Sequence, residues 1–453
     1  MRPSGMTKPT DKITGPASAN RPDVHRVAAG AIRQGAPKPY GPAVVVSRRA
    51  ADRLREGHLW VYRSDVVELT PALGSESFAG GALVTVVDSR AIPLGSALYS
   101  DASEITLRMV SAEPAVTREA YLATVRGRMA AALALRAELT PETHALRLVF
   151  SEADALPGIV IDRYNDLAIL QLLTQGTAQD DLRATVVESL REGLGPMDKL
   201  TIVERPDPRV RELERLPAPS PEPLFSSHPA ETGENQPAPL ATVFTLNGLR
   251  FHFDATSGQK TGAFLDQRLN YAAAARYARG EALDVCTYQG GFALHMAQTC
   301  RTVTGVDASR SALEVADRNL ALNPDLAAEI DWIEADAFEL LHELESSGRH
   351  YDTIVLDPPA FAKSRRAAEG ALRGYKELNL RAMKMLRPGG SLITCSCSHH
   401  VPLVDFMEVL RTAASDATRR VQVLETRGAA PDHPSILTLP ESNYLKCVIL
   451  RVG

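Results

Sequence analysis

Two cysteines stand close together in the stretch GSLITCSCSHH, residues 390–400. An apolar, strand-like run leads into Cys395 and Cys397, which alternate with serines. A thiol at the end of a buried strand can act as a nucleophile, or it can pack as a small hydrophobic side chain, which is the usual fate of free cysteine. Residues i and i+2 of a strand share one face, so the spacing does not choose between these roles. His399 and His400 follow, but Cys-x-Cys-x-His is not a standard zinc spacing, and we predict no metal site.

A second candidate for chemistry is the Asp-Pro-Pro triplet in VLDPPAFAKS, residues 355–364. Consecutive prolines stiffen the chain and remove two amide donors where the strand ends. Asp357 can hydrogen-bond the polar edge of a planar base there, while Phe361 stacks nearby. A proline-terminated strand with a capping aspartate explains the triplet alone equally well. Together with the cofactor pattern below, the triplet favours substrate contact through Pro358, Pro359 and Phe361.

A thiol beside an acidic strand end suits the chemistry of pyrimidines. Carbon C5 of cytosine is a poor nucleophile, but a thiolate that adds to C6 creates an enamine that can attack a sulfonium methyl. The C5 proton is then lost and the thiol leaves. The fifth strand, which ends in the two cysteines, is predicted to lie beside the Asp-Pro-Pro strand, so a thiol at its end would face the same cleft as Asp357.

Acidic residues and glycines follow three strands further upstream. The first strand ends in LDVCTYQGG, where Asp284 lies at the strand tip and Gly290 and Gly291 permit a tight turn. The next ends in Asp307, 16 residues beyond Gly291, where a carboxylate can accept both ribose hydroxyls of an adenosine. The third ends in Asp336, which can read the adenine amino group. The turn lacks the Gly-x-Gly-x-x-Gly pattern that cradles a pyrophosphate, so S-adenosylmethionine fits it better than a nicotinamide cofactor.

Composition excludes several classes of protein. The 453 residues are 44% hydrophobic and 23% charged, as in soluble globular proteins, and their number predicts two or three domains. The net charge of −5 gives no global signature of nucleic-acid binding, so a basic surface must be local. Five cysteines without framework spacing argue against a secreted disulfide scaffold. Because we find neither a signal peptide nor an apolar run long enough to span a bilayer, we expect a cytoplasmic protein.

The predicted elements divide the chain into five segments. Residues 1–42 read as a disordered basic tail, and short β-like runs in 43–113 predict a small β-barrel-like module. Residues 114–205 combine helical and strand-like runs, which predicts a small α+β domain. The Pro-rich segment 206–240 is predicted to be a flexible insertion or linker and not a packed element. Strands alternate with helices in 241–453, which predicts an α/β domain with a Rossmann-like parallel sheet covered on both faces.

Several motifs in the same order make the chain resemble a known family. SGQKTGAFLDQRLN, DVCTYQGGFALHMA, VLDPPAFAKS, GYKELNLRAMKMLRPGGSLITCSCSHHV and GHLWVYRSDV are similar to motifs of the bacterial 23S rRNA 5-methylcytosine methyltransferases. In that family a PUA domain and a small central α+β domain precede a class I S-adenosylmethionine domain. The resemblance runs from about residue 43 to 453 without the Pro-rich insertion. It implies 23S rRNA or a large-subunit ribosomal precursor as the partner and no membrane, with a homodimer left open.

The resemblance also implies roles for individual residues. The family nucleophile is the cysteine of Ser-Cys-Ser, which here is Cys397, while Cys395 occupies a position that need not carry a thiol. Many other RNA 5-methylcytosine enzymes have a second cysteine in the proline motif that helps to release the product. That motif is Asp-Pro-Pro-Ala here, so release requires another base, for which Asp357 is the candidate. Cofactor contacts are implied at Lys260, Thr261, Phe264, Asp266, Gln267, Arg268, Cys286, Tyr288, Gly290, Asp307, Asp336 and Asp357.

The front module offers candidates for RNA contact. Four arginines cluster on one short predicted helix and are candidates for phosphate contacts: Arg48, Arg49, Arg53 and Arg55. A solvated helix face is the alternative interpretation. Trp60 and Tyr62 are expected to belong to the core of the module and not to stack on bases.

Three other functions remain open at this point. A methyltransferase that acts on a ring or exocyclic nitrogen would need no thiol. An RNA-binding ribosome-assembly factor could carry a vestigial cofactor pocket, although the intact motifs argue against it. A methyltransferase for small molecules would leave the front module without a purpose.

Overall fold

The computed structural model describes residues 32–38, 40–140, 143–227, 239–256, 263–361 and 367–453. The predicted disorder of residues 1–31 and the predicted cofactor contacts of Lys260 and Thr261 lie outside the described residues. The described chain forms three main sheets and one hairpin that follow one another along the sequence, and the predicted α/β fold class is confirmed. No helix within these ranges is long and apolar enough to cross a membrane.

A seven-stranded sheet with one packed helix forms the front module. Its elements are β1 (Arg33–Gln34), β2 (Ala43–Val46), α1 (Arg48–Arg55), β3 (Trp60–Tyr62), β4 (Val66–Thr70), β5 (Leu83–Val87), β6 (Pro93–Tyr99) and β7 (Ile105–Ser111). The strand order is β1-β4-β2-β5-β6-β7-β3. Val44, Val86 and Leu107 are among the buried side chains that form its core, as expected for β-branched and apolar strand residues. Because β1 pairs with β4, residues 33 and 34 are not part of a disordered tail, contrary to our prediction.

A second sheet carries two long helices. Its elements are α2 (Arg118–Leu139), β8 (Ala145–Phe150), β9 (Ile159–Tyr164), β10 (Leu167–Leu172), α3 (Asp180–Leu194), β11 (Thr201–Glu204), α4 (Pro208–Leu213) and β12 (Phe225–Ser226). The strand order is β12-β11-β10-β9-β8. Side chains of α2 and α3, such as Met129 and Val186, pack with Ile161 and Leu170 of the sheet in one buried core.

Part of the Pro-rich segment is packed, so the prediction of a linker over its whole length is wrong. Asp207 caps α4 by accepting hydrogen bonds from Arg209 N and Val210 N. Pro208 at the first helical position costs nothing, because the N–H that it lacks has no partner within a helix. The buried side chain of Arg211 donates to the carbonyl of Leu172, and β12 pairs with β11. Residues 228–238 lie outside the described residues.

The third sheet belongs to the carboxyl-terminal half of the chain and follows a hairpin of β13 (Ala241–Leu246) and β14 (Leu249–Asp254). Its strands are β15 (Gly280–Val285), β16 (Cys300–Asp307), β17 (Glu329–Glu334), β18 (Tyr351–Leu356), β19 (Leu386–Ser396), β20 (Val421–Arg427) and β21 (Lys446–Val452). Its helices are α5 (Arg268–Tyr277), α6 (Gly291–Met296), α7 (Arg310–Ala321), α8 (Ala337–Ser346), α9 (Ala368–Met385) and α10 (Leu403–Asp416).

The strand order of the third sheet is β17-β16-β15-β18-β19-β21-β20. Strands β15 to β19 are parallel, whereas β21 runs antiparallel to both of its neighbours. Helices α5 and α6 contribute to the core on one face, and α8, α9 and α10 contribute to the core on the other. From β15 the chain adds β16 and β17 towards one edge of the sheet, and from β18 it adds strands towards the other edge, so the strand order reverses between β15 and β18. Ligands of doubly wound sheets bind at the carboxyl ends of strands beside such a reversal.

Candidate active site

The carboxyl ends of β15 to β19 gather most of the residues predicted to act. Parallel strands end at one edge of a sheet, so the segments that follow them lie side by side. Asp284 and Asp307 lie at or near the ends of β15 and β16, Asp336 follows β17, Asp357 follows β18, and Cys397 follows β19. The tertiary structure therefore places four acidic residues and one thiol along the same edge.

The turn after β15 has an unusual backbone. Cys286 and Tyr288 have positive φ angles of 64° and 52°, a region in which side chains other than glycine are disfavoured and which is enriched at functional sites. Gly290 follows with a φ of 83°, and a Cβ atom added to it would lie 3.1 Å from the ring of Trp332. The turn is fixed to β16, because Tyr288 N donates to Asp307 Oδ2 at 2.9 Å. The result is a tight, preorganised backbone loop.

Asp284 stabilises this loop through a hydrogen bond from inside the protein. Its carboxyl group is fully buried and accepts a 2.6 Å hydrogen bond from Thr287 Oγ1. Burial raises the pKa of Asp284 to about 7. We expected Asp284 to contact the cofactor, but as placed its side chain holds the turn and is not accessible to a ligand.

Asp307 and Asp336 keep acceptor capacity at the strand ends. Asp307 is half-buried and accepts one backbone N–H on each oxygen, from Ser309 and from Tyr288. Asp336 is exposed and caps α8 through Oδ1, which accepts from Phe338 N and Glu339 N. An ionised carboxylate offers about four lone-pair sites, so both groups can accept further hydrogen bonds from hydroxyl or amino groups.

The edge is strongly electronegative. Burial raises the pKa of the Cys286 thiol, and the nearby carboxylates Asp307, Asp357, Asp284 and Asp336 raise it further. Thiolate formation at Cys286 is therefore suppressed, and a cation is favoured in the same place. S-adenosylmethionine carries a positive sulfonium, two ribose hydroxyls and an adenine amino group, so the close-approach turn at Gly290 and the carboxylates around Cys286 fit it.

The segment before α5 was predicted to contact the cofactor. Its residues lie in different surroundings in the structure. The Phe264 ring lies 5.0 Å from the Tyr288 ring, beside the strained turn. Asp266 is half-buried and accepts a hydrogen bond from the Tyr444 hydroxyl. Arg268 is only 2% exposed and forms an ion pair of 3.4 Å with buried Asp432. Asp432 holds the Arg268 guanidinium in the interior, and the predicted cofactor contact of Arg268 stays a prediction.

Asp357 is oriented by Gln267. The Gln267 amide nitrogen donates to both carboxylate oxygens of Asp357, at 3.1 and 3.0 Å. Burial raises the pKa of Asp357 to about 8, and repulsion from Asp266 and Asp284 contributes to the increase. A half-buried carboxyl group with this pKa exchanges protons near neutral pH, which is the property that a general acid or base requires.

The two thiols of the Ser-Cys-Ser stretch have different environments. Cys395 is fully buried on β19, directly opposite Cys447 of β21. Cys397 comes after the last residue of β19, where the strand alternation no longer applies, and it is half-buried. Its Sγ lies 3.9 Å from the carbonyl oxygen of Pro358 as a long hydrogen bond. Cys395 is thus a buried thiol that lies against Asp357 and Gln267 from inside the protein, whereas Cys397 is partly accessible and contacts Pro358.

The other residues of the Asp-Pro-Pro turn also differ in their exposure to solvent. Pro358 is buried and Pro359 is exposed. The Phe361 ring is half-buried and lies 5.8 Å from the Phe338 ring and 4.8 Å from the Tyr375 ring. Phe361 therefore belongs to an aromatic cluster, and the same ring lines a cavity of about 460 Å³ together with Phe338.

The arginines of α1 are not equivalent, contrary to their treatment as one group. Arg49 and Arg53 both bind the buried carboxylate of Asp65, at 3.0 and 2.7 Å. The Arg48 side chain is 92% exposed and has Asp52 at 3.8 Å. Arg53 thus stabilises the module, and the prediction of a substrate contact fits Arg48 better.

Trp60 and Lys446 were assigned no functional contact from the sequence. Trp60, expected in the core of its module, donates through Nε1 to Glu152 Oε1 at 2.8 Å and so joins the first and second sheets. Lys446 is buried at the start of β21 and donates to the carbonyls of Ser398 and Tyr444. A lysine that begins the apolar run KCVILRV was the available signal for an unusual buried charge.

Comparison with known proteins identifies two families along the chain. Residues 232–449 match a family described as S-adenosylmethionine-dependent methyltransferases, and residues 44–112 match a PUA-like domain family. The ribosomal RNA large subunit methyltransferase I of Shewanella amazonensis is 37% identical over 403 residues, covering 87% of this chain and 95% of that protein. The protein of the same name from Klebsiella pneumoniae (strain 342) is 34% identical, covering 91% of this chain and 98% of its own length.

Solved structures show the same fold. A protein described as a methyltransferase complexed with SAH has a TM-score of 0.72 and 18% identity, and the match covers 91% of this chain and 100% of that one. A second structure, of an S-adenosylmethionine-dependent methyltransferase from Streptococcus mutans, has the same values. The family resemblance predicted from the motifs is confirmed by the sequence relatives. The chain therefore belongs to the ribosomal RNA large subunit methyltransferase I family, with a PUA-like domain ahead of the methyltransferase domain, and its cofactor is S-adenosylmethionine.

Proposed function

We propose that this protein methylates carbon C5 of a cytosine in 23S rRNA and uses Cys397 as a covalent nucleophile. The position of the thiol carries the proposal: Cys397 is half-exposed at the cofactor edge, with its Sγ 3.9 Å from the carbonyl of Pro358. The relatives named rRNA large subunit methyltransferase I and the match to a PUA-like domain support ribosomal RNA as the substrate.

The covalent route gives the thiol and the carboxyl group separate tasks. The thiolate of Cys397 forms a bond to C6, and the electron pair of the C5=C6 double bond becomes available at C5. S-adenosylmethionine would supply an electrophilic methyl group: the C5–CH3 bond forms as the S–CH3 bond breaks, and the electron pair of that bond stays on the sulfur of S-adenosylhomocysteine. A base then removes the C5 proton, and the electrons of the C5–H bond restore the double bond as the S–C6 bond breaks. The thiolate is thereby regenerated.

Asp357 is the base that we assign to the C5 proton. Pro358, the next residue in the chain, accepts the long hydrogen bond from Cys397. The Asp357 carboxyl group therefore lies in the same turn that the thiol contacts. Its pKa of about 8 is close to the operating pH, where general-base catalysis is most effective. The hydrogen bonds from Gln267 fix the orientation of the carboxylate.

RNA engagement is assigned to the front module and to the turn beside Cys397. Arg48 projects from α1 into solvent and is available for a phosphate. Pro359 is exposed next to Asp357, where a base could rest once it has left its stack. An enzyme that must reach C5 and C6 from a protein cleft requires a single-stranded or flipped-out cytosine.

Nucleoside mass spectrometry of 23S rRNA tests the proposal in cells with and without this protein. We expect 5-methylcytidine at the target site to disappear without the protein and to return with the wild type. Cys300→Ala, which changes a buried thiol at the amino end of β16, is the matched control and should also restore the product. Cys397→Ala should not. Full 5-methylcytidine formation by Cys397→Ala, or a product methylated on nitrogen, would refute the proposal.

A trapping experiment addresses the covalent bond directly. Target RNA with 5-fluorocytidine cannot lose a C5 proton, so the proposed adduct should persist with wild-type protein and S-adenosylmethionine. We expect a protein–RNA species that survives denaturing electrophoresis with wild type and Cys300→Ala. No such species should form with Cys397→Ala.

A further inference from the structure

A buried lysine lies directly beside the loop that carries the proposed nucleophile. Lys446 begins β21 and pairs with Ser396 of β19, the residue that precedes Cys397. Its side chain is only 6% exposed, and Nζ donates to the carbonyls of Ser398 at 2.7 Å and Tyr444 at 2.8 Å. Neutral carbonyls compensate only in part for the cost of burying an ammonium group, so this charge carries a cost that an apolar side chain would avoid.

The charge of Lys446 and the ionisation of Cys397 are coupled. Burial lowers the pKa of Lys446 to about 8, and the negative charge of ionised Cys397 acts in the opposite direction. The interaction is reciprocal, because an opposite charge nearby favours the charged form of both partners. The cationic form of Lys446 therefore stabilises the thiolate of Cys397.

Among the described residues, three other ionisable groups near this thiol are mostly uncharged near neutral pH. Burial, and to a lesser extent Cys397, raise the pKa of Tyr375 from α9. Burial, assisted by the charge of Lys446, lowers the pKa of His399 in the loop itself. The pKa of Asp357, beyond Pro358, is raised by burial to about 8. Among these four groups, Lys446 is the one that carries its charge for the most part at pH 7.

We propose that Lys446 is a positioning residue that holds a positive charge beside Cys397 and keeps this thiol ionised for attack on C6. The inference rests on the proposed covalent function and deepens it. Lys446 acts through the thiol and needs no contact with the cytosine. Its two hydrogen bonds to backbone carbonyls hold the ammonium in place, since Ser398 immediately follows the nucleophile. The proton lost by the thiol passes to solvent.

The test measures alkylation of Cys397 by iodoacetamide from pH 6 to 10 without RNA, with the modified peptide quantified by mass spectrometry. Wild type should show a thiolate midpoint below that of an ordinary cysteine, which is about 8.5. Lys446→Met should react about tenfold more slowly at pH 7, and the two rates should converge above pH 9.5, where the thiol is ionised in both proteins. Lys446→Arg, which keeps the charge, should retain most of the wild-type rate.

Two controls separate an electrostatic effect from a structural one. Free cysteine added to the same reaction is the reference thiol, and its alkylation gives the intrinsic rate of an accessible thiol at each pH. A slower reaction of Cys397 by the same factor at every pH would indicate lost access and would overturn the proposal. An ordinary or raised wild-type midpoint would overturn it as well, and this measurement does not depend on the folding of any variant.

The alkylation experiment can also succeed or fail independently of the proposed methylation mechanism. If Cys397→Ala methylated rRNA fully, the covalent function would fall while the alkylation profile still reported on Lys446. If the profiles of wild type and Lys446→Met coincided while Cys397→Ala was inactive, the covalent function would stand and the role of Lys446 would fall.

Discussion

Gln267 donates hydrogen bonds from its side-chain amide to both carboxylate oxygens of Asp357, at 3.1 and 3.0 Å. The amide cannot flip without loss, because its oxygen accepts a 2.7 Å hydrogen bond from Asn270. Gln267 immediately precedes α5 and Asp357 immediately follows β18, so the two partners are 90 residues apart in sequence. This contact joins the segment before α5 to the Asp-Pro-Pro turn and fixes the direction of the proposed base.

The first prediction concerns the pH dependence of methyl transfer. Asp357 accepts a proton only as a carboxylate, and burial raises its pKa to about 8, so the single-turnover rate should increase with pH, with a midpoint at or below about pH 8 and a plateau above that midpoint. The positive charge of a bound sulfonium favours the ionised form of Asp357 and lowers its pKa. The rise of the rate with pH would then occur at lower pH. Asp357→Asn should lose 10²–10⁴-fold in rate, the usual contribution of a general base.

The matched control for Asp357→Asn is adduct formation. Attack of Cys397 on C6 precedes proton loss, so this variant should still form the adduct with RNA containing 5-fluorocytidine. An Asp357→Asn enzyme that methylated RNA at the wild-type rate would show that another group removes the proton.

The second prediction concerns stability and Asp284. An unfolded aspartate ionises near pH 4, whereas burial raises the pKa of folded Asp284 to about 7. Between these values the folded state binds more protons, so the free energy of unfolding should fall with increasing pH by about 1.4 kcal/mol per pH unit for this group. Asp284→Asn removes the effect. We expect the variant to gain about 2–3 kcal/mol relative to wild type between pH 5 and pH 8, measured by urea unfolding without cofactor.

The exposed Asp325 provides the comparison for that experiment. Asp325→Asn should keep the pH dependence of the wild type. An Asp284→Asn variant that parallels wild type at every pH would mean that the buried carboxyl group is ionised in the folded protein.

The third prediction separates two arginines of α1. Arg48→Ala should weaken binding of a 23S rRNA fragment and reduce the slope of log affinity against log salt by about 1, without a change in unfolding. Arg53→Met should instead cost about 1–2 kcal/mol of stability, because it removes one partner of the buried carboxylate of Asp65. Anisotropy titrations at several salt concentrations and urea unfolding measure the two effects.

Arg301 serves as the control for Arg48. It is an exposed arginine near the amino end of β16, away from the carboxyl edge of the sheet. Arg301→Ala should leave the salt slope unchanged, and a slope that fell equally in both variants would remove the special role of Arg48.

The fourth prediction concerns the contact between the second sheet and the methyltransferase domain. Asp432 precedes β21 and is fully buried, where its carboxylate binds Arg268 and accepts from Arg147 N, while its backbone carbonyl accepts from Arg136. Burial alone would raise the pKa of Asp432, but His433, the Arg147 amide and Arg268 outweigh it and lower the pKa to about 2.

Asp432→Ala removes a buried carboxylate that pairs with Arg268 and accepts from Arg147 N, so it should destabilise the protein by about 3–5 kcal/mol in urea unfolding. Asp416→Ala, which breaks a surface ion pair with Lys376, should cost about 1 kcal/mol or less. Equal effects of the two substitutions would contradict the role of Asp432 as a buried ionic contact. The stability from Asp432 should also be lost as the pH falls from about 4 towards 2, because its folded pKa lies below the unfolded value.

Local patterns in the sequence were sufficient for the fold class and for the family. Apolar runs that alternate with helical segments after residue 280 predicted a parallel sheet, because a strand covered on both faces must be apolar along its length. Strand-end residues such as Asp307, Asp336 and Asp357 could be assigned to one edge for the same reason. The Pro-rich composition of 206–240 led to the wrong prediction of a linker. Composition alone does not show that Arg211 is buried and donates a hydrogen bond to the carbonyl of Leu172.

Cys395 and Cys397 have almost the same local sequence, and Arg48 and Arg53 lie on the same short helix, so only the tertiary structure decided between the members of each pair. Cys447, 52 residues beyond Cys395, covers the first thiol, and Asp65 captures Arg53. The pKa values of Asp284, Asp357 and Lys446 were likewise set by burial among segments distant in the chain. The sequence determined which chemical groups exist and which strand ends carry them. Exposure and charge depend on neighbours that meet only after folding, and these decided which groups can act.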